Sequence, residues 1–138
     1  MSAMLPHLER RSILLGAGLT IALAVPPAVI GVLLSEDDSM EGSPWVPVLF
    51  AWIVGSFLVG GFVAARSQPH APLAHGALAA LVAFVVVQGV GVIRHLVAGE
   101  DVKWFSIVFA ALLASSTGTV GGIVANHLRL RGARTRAG

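Results

Sequence analysis

Four apolar runs, each long enough to cross a bilayer as a helix, leave this chain few ways to fold. A hydrocarbon core about 30 Å thick needs about 20 consecutive apolar residues. The first run, residues 13–34, contains no charge; the others cover 45–65, 73–93 and 105–126. Each separator is charged or rich in turn formers: EDDSMEGSP, RSQPHAP and RHLVAGEDVKW. A transmembrane strand would need an in/out alternation that these runs lack. The sequence therefore predicts an all-α polytopic membrane protein, a single four-transmembrane-helix bundle over residues 1–138 with a basic tail at 128–138. Only 12% of the residues are charged, against about 25% in soluble domains, too few to clothe a water-facing surface. The first run is too long for the apolar region of a cleaved leader, and more apolar residues follow Pro26-Pro27, so it reads as a retained span.

The basic residues give orientation. Arg10 and Arg11 precede the first run, Arg66 separates the second from the third, and Arg129, Arg131, Arg134 and Arg136 follow the fourth. The opposite side holds Lys103, Arg94 at the edge of the third run, and the acids Glu36, Asp37, Asp38, Glu41, Glu100 and Asp101. The positive-inside rule places both termini in the cytoplasm of a multi-pass protein of the cell membrane. Trp45 and Trp104 fall where an outer aromatic belt lies. The usage of Ala, Gly, Val and Arg fits a GC-rich bacterial genome. The high isoelectric point reflects these flanking arginines, so nucleic acid is not an expected partner. The expected partners are the bilayer, anionic lipid heads at the basic tail, and a homo-oligomer or larger membrane complex.

A phrase recurs. The stretch VGGFVAA at 59–65 returns as VGGIVAN at 120–126, at similar depth and in the same direction. Two hairpins related by an axis along the membrane normal would produce this, a parallel repeat. Glycine-rich helices also converge on such strings. The segment Gly60-Gly61-Phe62-Val63-Ala64-Ala65-Arg66, a short Pro-containing loop, then Leu73-Ala74-His75-Gly76-Ala77-Leu78, resembles a family of small four-span bacterial membrane proteins of uncharacterised function (YrzE-like). The resemblance covers the second and third runs, implies the same four-helix architecture, and carries over no catalytic residue.

Lipid gives helices no hydrophobic reason to associate, so small residues that admit close approach direct packing. Ser56 and Gly60, Gly61 and Ala65, Ser115 and Thr119, Gly118 and Gly122, and Gly121 and Ala125 stand four apart and mark such seams, closing either the bundle or an oligomer. Pro26 and Pro27 remove backbone donors and predict a kink in the first helix. Gln88, the one amide deep in the third run, needs a partner on another helix. The cluster Ser115, Ser116, Thr117 and Thr119 is the nearest by depth, giving either interhelical glue or a narrow polar path. Arg94 at the outer edge is expected to snorkel or to pair with Glu100, Asp101 or the acidic first loop.

The absences narrow the function. Without cysteine there is no disulfide, thiolate metal site or thiol redox relay. No Asp, Glu or Lys lies within a run, so the embedded carboxylate on which proton-coupled exporters rely is missing. The acidic loop at 36–41 lacks the ligand periodicity of an EF-hand. His7, His70, His75 and His127 fall near the cytoplasmic boundary without metal-ligand spacing, and no catalytic constellation or cofactor is expected. Two functions remain. One is a non-enzymatic membrane protein acting through helix packing, as a homo-oligomer or an accessory subunit. The other is a small channel or permease with a path along the third and fourth runs.

Overall fold

The computed structural model describes residues 9–35, 43–68, 70–99 and 101–137. They form four helices: α1 (Arg10–Ser35), α2 (Trp45–Arg66), α3 (Pro72–Ala98) and α4 (Trp104–Ala137), and no strand occurs among the described residues. Each helix is long and apolar enough to cross a membrane. Local chemistry sets the ends. Pro72 opens α3 at the first helical position, where a missing N–H has no intrahelical partner to lose. Gly99 closes it in the left-handed region at φ 72°, its N–H returning to the carbonyls of His95 and Leu96. Nothing in the sequence breaks the helix before Gly99, so α3 runs five residues past the apolar run. The tail from 128 continues α4 to Ala137, its Arg, Leu and Ala residues being good helix formers that outnumber Gly132 and Thr135. At 34 residues, α4 is about 51 Å long, well beyond a hydrocarbon core. α1 runs unbroken through Pro26, which is exposed, and Pro27, which is buried.

α2 and α3 each approach every other helix, whereas α1 and α4 do not approach one another among the described residues. In cross-section the order around the bundle is therefore α1, α2, α4, α3, with α2 and α3 on the short diagonal. This arrangement bears on the recurring phrase. An axis along the membrane normal would carry α1 onto α3 and α2 onto α4. It would then turn every α2–α3 contact into an α1–α4 contact, and the bundle has only the former. The two copies are also used differently. Gly60 meets α1 and Gly61 meets α4, whereas Gly121 meets α2 and Gly122 meets α3. The shared phrase thus works as a small-residue pattern without a matching two-fold packing.

The core is built from alanine. Ala17, Ala24, Ala64, Ala65, Ala79, Ala80, Ala83, Ala114 and Ala125 are buried, and Phe57 and Leu49 are the only large apolar side chains among the buried residues described. Large residues such as Leu15, Val85, Ile93, Phe105, Phe109 and Leu112 point outward. That is the inverse of a water-soluble bundle and the arrangement a lipid solvent selects, because close backbone approach, not burial of bulk, holds the helices together.

The end carrying the start of α1, the α2–α3 connection and the C-terminal part of α4 is the basic end; the other is the acidic end. At the basic end the helices nearly touch. A Cβ on Gly16 would lie 2.6 Å from the Gly60 carbonyl oxygen and from the Ala64 Cβ. The Gly118 carbonyl oxygen sits 2.5 Å from the Cβ position of Gly61 and 2.4 Å from that of Gly76, so three helices share one glycine node. A Cβ on Gly121 would meet the Leu58 carbonyl oxygen at 2.3 Å, and one on Gly122 the Pro72 carbonyl oxygen at 2.7 Å. Toward the acidic end Gly55, Gly89 and Gly91 would meet nothing within 4 Å, and the outer turns of α3 and α4 are largely exposed.

Candidate functional site

Where the helices part, a cavity of about 350 Å³ opens between all four. α1 contributes Ala28, just past the proline pair; α2 contributes Phe50, Ile53, Val54 and Phe57; α3 contributes Phe84, Val87 and Gln88; α4 contributes Ala110, Leu113, Ala114 and Thr117. Phenylalanine rings stand on the two central helices, and small residues line much of the outer two. The glycine contacts below hold the helices at a spacing that these side chains do not fill.

Gln88 and Thr117 are the only polar residues among the described lining residues. The Thr117 hydroxyl donates to the Leu113 carbonyl of its own helix at 2.8 Å, leaving only its oxygen lone pairs for a neighbour. The Gln88 amide makes no hydrogen bond among the described residues. The rest of the α4 cluster lies elsewhere. Ser116 is exposed and donates to the Leu112 carbonyl at 2.8 Å, and Thr119 donates to the Ser115 carbonyl at 2.9 Å. Ser115 is half-buried, outside the cavity lining. Of the candidate path residues, then, only Gln88 stands in the cavity, and its polar neighbour there is Thr117.

The packing residues sit at helix contacts. Ser56 is buried and donates to the Trp52 carbonyl at 2.9 Å. Gly60, Gly61, Gly118, Gly121 and Gly122 all face neighbouring helices of the same chain. Gly16, Thr20 and Gly76 complete these seams, Thr20 being fully buried with its hydroxyl on the Gly16 carbonyl at 2.9 Å. At the acidic end Arg94 and Asp101 are both exposed, and Glu100 lies outside the described residues, as do the acidic loop at 36–41 and His7.

No family model, no curated protein and no solved structure matches this chain.

Besides the cavity, the basic end carries a polar cluster. His75, in the first turns of α3, is 1% exposed. Its Nδ1 lies 2.8 Å from the Ala71 carbonyl oxygen and its Nε2 accepts from the Glu9 backbone N–H at 3.2 Å. A carbonyl only accepts and an N–H only donates, so the ring is the neutral form with its proton on Nδ1. The Glu9 carboxylate accepts from Ser12 Oγ at 3.1 Å and from Gln68 Nε2. Ser67 Oγ donates to Ser12 Oγ at 2.9 Å. The start of α1 is thereby tied to the α2–α3 connection and to α3. Sequence reading placed His75 at the water boundary and passed over Ser12, Ser67 and Gln68. The signal was Glu9, the one acid at an end otherwise marked by arginine. His70 and His127 are exposed, and no group of three His, Asp or Glu residues placed to hold a metal occurs among the described residues.

A second, more open cavity of about 540 Å³ lies between the basic ends of α2 and α4, lined by Phe62, Arg66, Ala125, Leu128, Arg129 and their neighbours. Arg129 Nη2 donates to Asn126 Oδ1 at 3.3 Å.

Proposed function

We propose that this chain is a non-transporting membrane protein that acts through helix packing, as a subunit or accessory of a larger membrane assembly. The observation that carries this reading is the glycine node. Gly61, Gly76 and Gly118 close the basic half with backbone against backbone. Three of the α4 hydroxyls are turned to carbonyls of their own helix. A conducting path needs a hydrated polar surface through the full thickness of the membrane, and the node offers none.

The seams that close the bundle are occupied by this chain's own helices, so a partner must use other ground. Gly18, Gly55, Gly89 and Gly91 have nothing within 4 Å of the Cβ position and leave room for a neighbouring helix to approach. The arginines beyond the node, with both termini in the cytoplasm, suit anionic lipid heads. The resemblance of 60–66 and 73–78 to small four-span bacterial membrane proteins supports the architecture of this reading and assigns no role.

The test combines two measurements on the full chain. Mild extraction and native mass spectrometry should find it in a complex, either with copies of itself or with other membrane proteins, and Gly89→Leu should weaken that complex. Liposomes carrying the purified protein should leak ions and small neutral solutes no faster than empty ones. Protein-dependent flux that Gln88→Ala alters would overturn the packing reading in favour of a permease.

A further inference from the structure

The packing role makes no use of the cavity in the acidic half. In its favour as a site, the cavity is walled by all four helices rather than lying on one exposed face, and its volume of about 350 Å³ falls within the range of small-molecule pockets. The bundle does not collapse to fill it, because the glycine contacts fix the helix axes at the basic end, and Phe57 and Phe84 pack in the core between the central pair.

The chemistry of the lining selects an occupant. Among the described residues no ionisable side chain lines the cavity, so a charged molecule would meet no counter-charge from them. An amide at membrane depth has two donors and an accepting oxygen, and hydrocarbon satisfies none of them. Gln88 stands six residues before Arg94 at the outer edge of the apolar run, about 9 Å along the helix axis. Ester oxygens of an ordinary phospholipid lie at the interface and do not reach that depth. A plain acyl chain would fill the space and leave the amide unpaired.

We infer that the cavity binds a neutral, largely hydrocarbon molecule bearing a carbonyl or hydroxyl oxygen. The Gln88 amide is its polar anchor and the Phe50, Phe57 and Phe84 rings hold its apolar body. A ligand carbonyl accepts from the Gln88 NH₂; a ligand hydroxyl donates to the Gln88 or Thr117 side-chain oxygen. This assignment stands whether or not the chain works within a larger assembly.

The sequence supplies a clean readout, since Gln68 and Gln88 are its only glutamines. The full chain, labelled with ¹⁵N-glutamine in detergent micelles, is titrated with 2-undecanone and, separately, with undecane. The ketone should move the Gln88 side-chain amide signals saturably and leave those of Gln68 in place. It should bind about five-fold more tightly than the alkane, the worth of one net hydrogen bond. Gln88→Leu, a change that hydrocarbon favours, should erase that preference while helical content is kept. Ala114→Phe, which fills the cavity and retains the amide, should abolish the saturable shift. Equal movement of both glutamines, equal binding of ketone and alkane, or an unchanged ketone response in Ala114→Phe would each overturn the proposal.

Discussion

Substituting alanine for Gly118 tests whether the node holds the bundle. The new Cβ would lie 2.4 Å from the Gly76 carbonyl oxygen, 2.5 Å from the Ala80 Cβ and 3.1 Å from the Gly76 carbonyl carbon. Ordinary contact begins at 3.4 Å, so α3 and α4 must separate by about 1 Å, a gap that forfeits up to about half of each affected dispersion contact. No flexible side-chain tip can yield instead, because two of the three obstacles are backbone atoms. Overpacking of this kind costs about 1–3 kcal/mol, and a rigid obstacle puts Gly118→Ala at the upper end. Gly89→Ala is the control: it meets nothing within 4 Å, and alanine's helix propensity makes it neutral or stabilising by up to about 1 kcal/mol. Unfolding of the purified protein by increasing mole fraction of dodecyl sulfate, followed by circular dichroism, compares the two. A gap of about 2–3 kcal/mol is about 30- to 150-fold in the unfolding equilibrium. Coincident transitions for the two variants would refute the node.

Other contacts give further expectations. Gly60→Ala should destabilise strongly, because its Cβ would meet the Thr20 hydroxyl oxygen and the Gly16 carbonyl oxygen. Thr20→Ala in the same chain should recover part of the loss, with a coupling of about 0.5–3 kcal/mol in a double-mutant cycle. His75→Leu removes the acceptor of the Glu9 N–H and the donor to the Ala71 carbonyl. It should cost about 1–3 kcal/mol and speed hydrogen exchange at the Glu9 amide; an unchanged exchange rate would count against the contact. Arg66→Ala with Arg129→Ala removes both cations from the cavity between α2 and α4. At about 1 kcal/mol for each charge near an anionic surface, phosphatidylglycerol affinity read from native mass spectra should fall by about 30-fold, with phosphatidylethanolamine unaffected.

The existence of four spanning helices was legible in the sequence because a lipid solvent imposes a length and a composition that few other folds satisfy, whereas α3 and α4 outrun their apolar runs to Ala98 and Ala137. The small-residue spacing marked Gly60, Gly61, Gly118, Gly121 and Gly122 as close-packing positions, since only a missing side chain admits a neighbouring backbone. Spacing cannot say which helix arrives. Gly16 with Thr20 and Gly76 with Ala80 also stand four apart, outside the seams marked from the sequence, and Gly16 and Gly76 each face a carbonyl oxygen within 2.6 Å of the Cβ position. The same limit governed Gln88. α4 is apolar on every side between 107 and 114, so hydrophobicity does not mark the face it turns to α3. Thr117, rather than Ser115, Ser116 or Thr119, occupies the cavity because the node fixes the rotation of α4 through Gly118. The cluster of Glu9, Ser12, Ser67, Gln68 and His75 was hidden for another reason: short polar residues at a span end read as solvated unless the chain connections that bring them together are known.

The two halves of the bundle should differ in mobility. In lipid, helix association rests on close contact, and the described glycine contacts under 3 Å all lie toward the basic end. In the acidic half α1 lacks two further constraints. Pro26 and Pro27 donate no hydrogen bond, so the carbonyls of Ala22 and Leu23 lose their usual partners four residues on. The cavity wall at Ala28 follows directly. α1 beyond the prolines should therefore lean relative to a fixed basic half, widening or narrowing the cavity. The chain has no cysteine, so introduced pairs carry spin labels without a background. Labels at the exposed positions Leu33 and Val108 report the acidic ends of α1 and α4, and labels at the exposed Leu15 and Leu128 report the basic ends. The acidic pair should give the broader distance distribution, and replacing both prolines by alanine should narrow it. Equal widths for the two pairs would mean that side-chain packing alone stiffens the acidic half, and the prolines would then be no more than tolerated shape.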